Sequence, residues 1–183
     1  MQKHLADNAI EVFEYEDVTC ELKKLVDEKK KIGYDENSCN RKLYEVFMEG
    51  TSENQGNVVE GIKAVKNPVE MEGMRRANIK NCVALIRYFA WVEDHLKSNP
   101  DTDLTEFTAA EKLEEFRRLG DLYVGPSFES ISSMGPNGAV IHYKPEKATA
   151  LKMNNKEIYL LDSGVQYLDG TTDITRTVHF GGS

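Results

Sequence analysis

The sequence predicts an α/β chain of the α+β kind, in which helices precede an antiparallel sheet. Three observations carry this. Asn67-Pro68-Val69-Glu70 joins an N-cap, a proline at the first helical position and a capping-box glutamate. Behind it apolar residues recur every three or four positions over some thirty residues. Beyond Gly125-Pro126 the pattern changes to short apolar strands, with a hairpin signal at Asp169-Gly170.

Residues 1–60 read as short alternating elements. Ile10-Glu11-Val12-Phe13 alternates like a strand, and Val18, Leu22, Leu25 and Val26 fall at helical spacing. Ile32-Gly33-Tyr34 suits a short strand, and Leu43, Val46 and Phe47 mark another helix. Residues 51–57, Thr-Ser-Glu-Asn-Gln-Gly-Asn, read as a polar loop. So few elements make a poor core, and the segment is expected to be the end of an α/β domain whose beginning is absent.

From residue 61 the signals strengthen. The long helix presents Met71, Met74, Cys82, Leu85, Phe89, Val92 and Leu96, interrupted by Asn78, and stops before Ser98-Asn99-Pro100. This stripe reads as core. A second helix is capped by Thr105, carries Ala109, Leu113 and Phe116 on one face, and has Gly120 suited to its C-terminal cap. Strands are expected over residues 128–134, 139–143, 157–161 and 172–180, with a turn at Gly135-Pro136-Asn137-Gly138.

Composition excludes several classes. Hydrophobic residues at 40% and charged residues at 30% describe a soluble globular chain. A net charge of −8 repels phosphate backbones, so nucleic acid is not an expected partner, and Lys29-Lys30-Lys31 reads as a solvated helix end. No apolar run has the length of a membrane span or of a signal-peptide core. Cys20, Cys39 and Cys82 are odd in number and widely spaced, which suits buried, reduced thiols rather than a disulfide framework or zinc site. A cytoplasmic protein is expected.

The chemistry concentrates between Leu161 and Thr177. A hairpin at Asp169-Gly170 sets Asp162 and Asp173 on neighbouring antiparallel strands, but a two-residue turn there puts Asp173 opposite Gln166. A bulge at Gly164 is inferred to bring the carboxylates together. Two such groups repel and lose hydration unless a hard divalent cation joins them. Two aspartates eleven positions apart are by themselves usually surface residues, and Asp169 reads as a turn residue. His142 alone reads as a strand histidine with local partners; His4 and His95 read as surface residues.

The flanking residues change that balance. Asp162-Ser163-Gly164-Val165-Gln166-Tyr167 with Gly170-Thr171-Thr172-Asp173-Ile174-Thr175-Arg176-Thr177 closely resembles the metal-ligand hairpin of eukaryotic aminopeptidase P. The stretch from Ser132 to Tyr143 resembles the same family, as do Lys63–Pro68 and Glu72–Ala77, in the family's order and spacing. Prolidase and methionine aminopeptidase share two aspartates at this spacing, but Gly170-Thr171-Thr172-Asp173 and the motif ending in His142-Tyr143 favour aminopeptidase P. The resemblance implies residues 61–183 as the first half of a pita-bread catalytic domain, preceded by 1–60 as the remnant of another domain.

It also implies a metalloaminopeptidase that releases the first residue of peptides with proline in second position. Asp162 resembles the chelating aspartate and Asp173 the bridging aspartate of a site for two divalent metal ions, commonly manganese. His142 resembles a histidine that contacts substrate at the scissile bond; His179 matches no ligand position. The family completes its site with a histidine and two glutamates further along, which nothing here matches, so the chain is expected to be a fragment, inactive by itself and weakly stable or self-associating. By analogy the family implies a homodimer. The alternative is a non-catalytic truncated pita-bread protein that binds or dimerises.

Overall fold

In the computed structural model, which describes residues 2–181, the chain divides after Val65 into two compact units. The first holds α1 (Gln2–Asp7), α2 (Val18–Asp27), β1 (Ile32–Tyr34), α3 (Arg41–Met48), β2 (Ser52–Asn54) and α4 (Val58–Ala64). β1 and β2 pair in parallel, Ile32 opposite Ser52, with α3 as the crossover that parallel strands require. Asn40 caps α3 by accepting from the Leu43 amide. Val46 and Phe47 are buried, and Tyr34 packs on Phe47 with ring centroids 5.6 Å apart.

Two expectations change in this unit. The supposed polar loop contains β2, because its backbone completes the pair with β1 even though its side chains are polar. Residues 10–13 form no strand: Ile10, Val12 and Phe13 are exposed, so their alternation buries nothing. α2 ends in a Schellman pattern with Lys29 in the left-handed region (φ 58°), which places the lysine run on an exposed helix end.

The second unit opens with α5 (Pro68–Ser98). Asn67 Oδ1 accepts from the Glu70 amide and Glu70 Oε2 from the Asn67 amide, both at 2.9 Å, which closes the expected capping box. The buried face is Gly73, Ala77, Asn81, Ala84, Leu85, Tyr88, Val92 and Leu96. It is rotated from the predicted stripe: Met71 and Cys82 are exposed, and the buried polar residue is Asn81 rather than Asn78. The small residues let the sheet approach closely, which apolar size alone does not reveal. α6 (Glu106–Arg117) is capped by Thr105 and stops three residues before Gly120, whose role is to admit the Tyr167 ring.

Two antiparallel sheets lie beyond. One orders β3 (Tyr123–Pro126), β6 (Val165–Tyr167) and β7 (Gly170–Thr171); the other orders β4 (Ile131–Met134), β5 (Ile158–Ser163) and β8 (Ile174–His179). β3 runs through Gly125-Pro126, the pair beyond which strands were expected to begin, because Pro126 sits on an edge strand. The strand expected over 139–143 is a 3-10 turn (Gly135–Ala139) followed by irregular chain. β5 alternates strictly: Tyr159, Leu161 and Ser163 are buried, whereas Ile158, Leu160 and Asp162 are more open. Tyr159 and Leu161 join Leu85, Tyr88, Val92, Leu113 and Met134 in the main core. That leaves the opposite sheet face for chemistry.

All three cysteines are free, but the expectation of burial fails: Cys20 and Cys82 are exposed and Cys39 is half-buried. His95 is half-buried rather than a surface residue, with Nε2 2.6 Å from Thr102 Oγ1.

Candidate metal centre

The hairpin turns at Leu168-Asp169, one residue earlier than predicted, because Tyr167 pairs with Gly170 and Gln166 with Thr171. The same register continues across the gap: Ser163 pairs with Ile174 and Asp162 with Thr175. No residue is inserted at Gly164, so the bulge predicted there is absent. The irregularity lies across the sheet on β3, between Tyr123 and Gly125. Asp173 immediately precedes β8, one residue before Ile174 and two before Thr175, the partner of Asp162.

What opens the hairpin is an exchange of hydrogen bonds. The Thr172 amide donates to Val165 O at 3.0 Å, but the Val165 amide donates to the Thr172 hydroxyl at 3.1 Å instead of its carbonyl. That carbonyl accepts from Ser127 Oγ at 2.9 Å. The chain is tight here: a Cβ on Gly164 would lie 2.1 Å from both Ser127 Oγ and Thr172 O, so only glycine fits.

Arg117, fully buried at the end of α6, holds the break from below. Its Nη1 donates to Gly164 O at 3.2 Å and Glu114 Oε1 at 2.9 Å, Nη2 to Ser163 Oγ at 2.9 Å, and Nε to Asn81 Oδ1 at 3.0 Å. The sequence reading missed this residue. Its signal was the spacing Glu106, Ala109, Leu113, Arg117, which sets both charges on the buried stripe of α6. The hairpin tip is fixed by Asp169, which ion-pairs with Lys80 Nζ at 2.8 Å and so does more than turn the chain. The hydrogen bond from Lys80 holds the Asp169 carboxyl below the usual range.

Asp162 and Asp173 differ in surroundings. Asp162 is half-buried, and its buried Oδ1 meets no hydrogen-bond donor, whereas Asp173 is exposed. A buried carboxylate oxygen without a donor is costly unless a cation meets it, so the residues present fit a divalent metal. Among the described residues no group of three or more His, Cys, Asp or Glu side chains is placed to hold an ion. His142 is exposed, in the left-handed region (φ 56°), not in a strand. The 3-10 turn before it covers the open face: a Cβ on Gly138 would lie 3.7 Å from Leu160 Cβ, two residues from Asp162. His179, also exposed, sits with Nδ1 2.9 Å from Gly181 O.

Antiparallel sheets backed by two capped helices, with Asp162 and Asp173 carried on one hairpin, define part of a pita-bread domain. The chain belongs to metallopeptidase family M24, whose profile matches residues 72–183; a creatinase/prolidase N-terminal domain matches residues 1–70. An Xaa-Pro aminopeptidase of Drosophila melanogaster is 56% identical over 120 residues, covering 66% of this chain and 19% of the relative. A probable Xaa-Pro aminopeptidase P of Aspergillus fumigatus is 60% identical over 119 residues, covering 65% and 18%. The chain thus spans about a fifth of the length of the curated relatives it matches.

The crystal structure of X-prolyl aminopeptidase from Caenorhabditis elegans, described as a cytosolic enzyme with a di-nuclear active site, superposes with a TM-score of 0.90 at 31% identity. It covers all of this chain and 30% of that one. X-Pro aminopeptidase from Thermotoga maritima shares the fold, with a TM-score of 0.69 at 23% identity, over 92% of this chain and 46% of that one. No helix among the described residues is long and apolar enough to cross a membrane.

Proposed function

We propose that this chain is the aspartate-bearing first half of an Xaa-Pro metalloaminopeptidase domain (61–183), preceded by the end of another α/β domain (1–60). The observation that carries the reading is the bare, buried Oδ1 of Asp162, on the hairpin that also carries Asp173. Identity above one-half to Xaa-Pro aminopeptidases supports the substrate class, a peptide with proline in second position. Asp162 and Asp173 would hold two divalent ions, and two oxygen donors suit manganese. Such ions supply Lewis-acid polarisation of the peptide carbonyl and activation of water. His142 donates a hydrogen bond to the carbonyl oxygen as charge develops there. A cytoplasmic location and a homodimer are part of this reading.

These 183 residues alone offer two carboxylates where two manganese ions prefer six ligands each, so the isolated chain is expected not to hydrolyse peptides. The second reading is a non-catalytic binding or dimerising module. A chimera that continues this chain with the corresponding remainder of the Drosophila relative separates the two. With manganese it should release the first residue of Xaa-Pro peptides, and Asp162→Asn or Asp173→Asn should lower kcat/KM by at least about a hundredfold. No release from the metal-loaded chimera sinks the peptidase reading; equal activity in both variants sinks the ligand assignment.

A further inference from the structure

Glu106, the first residue of α6, is fully buried, and the groups that meet its carboxylate are neutral and come from one segment, residues 134–151. Oε1 accepts from the Met134 amide at 2.6 Å and from Asn137 Nδ2 at 3.0 Å. Oε2 accepts from the Tyr143 hydroxyl and the Leu151 amide, both at 2.8 Å, and from Asn137 Nδ2 at 3.1 Å. Asn137 Nδ2 also reaches Tyr143 Oη at 2.9 Å. Burial, followed by the hydrogen bond to Glu106, raises the Tyr143 hydroxyl to about 12, so it stays protonated and donating.

A buried carboxylate costs stability, and an apolar residue would fill the space with no such penalty. Its partners show what the charge accomplishes. The segment they belong to contains one 3-10 turn and no strand after Met134, yet it must hold His142 at a positive φ. Such a conformation persists only when the surroundings over-determine it. Glu106 fixes the segment at its start (Met134), at its end (Leu151) and at Tyr143, the residue joined to His142.

We infer that Glu106, through Tyr143, is a positioning residue: it locks the His142 loop over the open face of the β4-β5-β8 sheet, the face of β5 that carries Asp162. The inference rests on the reading of His142 as the group that meets the substrate carbonyl.

The chain has four histidines, so 13C-labelled histidine reports each ring separately. Glu106→Gln replaces an acceptor with a donor that faces other donors, and Tyr143→Phe removes the hydroxyl that joins residue 143 to Glu106 and Asn137. In both variants the His142 ring resonances should move to unstructured values. Amide exchange within residues 134–151 should rise about tenfold, the loss of one charge-assisted hydrogen bond. His95 and His179 should not move. Unchanged His142 resonances, or all rings moving together in Tyr143→Phe, overturn the inference. Should Glu106→Gln fail to fold, Tyr143→Phe decides.

In the chimera, Tyr143→Phe should lower kcat/KM in the parent and have no further effect beside His142→Ala. Additive losses overturn the inference. A parent chimera without activity counts against the peptidase reading alone, and the resonances still decide whether Glu106 anchors His142.

Discussion

Helix α6 begins with a buried carboxylate and ends with a buried guanidinium, and the two are satisfied differently. Glu106 is met by neutral N–H and O–H groups of a single irregular segment. Arg117 instead ties three elements together: Asn81 of α5, Glu114 of its own helix, and the Ser163-Gly164 break in the hairpin. Each charge sits at the end of the helix dipole that favours it. The difference teaches that one helix serves two parts of the candidate site by two routes. A carboxylate gathers donors and orders the loop of His142. A planar fork of donors gathers acceptors and holds the strand that carries Asp162.

The sharpest way to break this comparison is Arg117→Ala. It leaves Glu114 without its ion pair and Gly164 O and Asn81 Oδ1 without donors, so denaturant unfolding should show a loss of about 3–5 kcal/mol. Arg117→Lys should recover only part of it, because an ammonium lacks the fork geometry. Next in size is Gly164→Ala, where a Cβ has no space at the hairpin break. A loss of about 1–3 kcal/mol is expected, with weakened manganese binding measured by electron paramagnetic resonance. Retained affinity in that variant would separate the break from the metal centre.

Asn67→Ala removes a cap remote from both charges. It should cost about 1 kcal/mol and leave His142 and metal binding unchanged, which calibrates a purely helical effect. The smallest effect belongs to Asp169. Lys80 lowers its pKa in the folded chain, so the unfolded chain binds the proton more readily. The stabilisation from this pair is complete above the ordinary aspartate range and is lost as pH falls through the depressed folded value. Lys80→Met should flatten that acid-side slope in a pH series of thermal melts.

The two compact units differ in how much of them could be read from the sequence. In the first, α2, β1 and α3 were legible, but β2 was not, since its side chains Ser52, Glu53 and Asn54 are polar and only pairing with β1 defines it. In the second, both helix starts were legible because their caps are local, made within three residues. The predicted stripe of α5 missed Gly73 and Ala77, whose burial follows from the close approach of the hairpin tip. A Cβ on Gly73 would lie 2.0 Å from Asp169 O. The turn fell one residue from its predicted place because the β6–β7 pairing, not the Asp-Gly preference, set the register.

By itself the sequence determined the capped helices, an apolar strand at β5 and the presence of two carboxylates on one hairpin, since these depend on residues a few positions apart. Only the tertiary structure decided which oxygen is left bare, how the hairpin opens at Thr172, and why Glu106 and Arg117 are buried. Those outcomes depend on partners far along the chain, such as Arg117 and Gly164, 47 positions apart. Hydrogen-bond satisfaction of a buried group is a property of everything packed around it, and no local window contains that information.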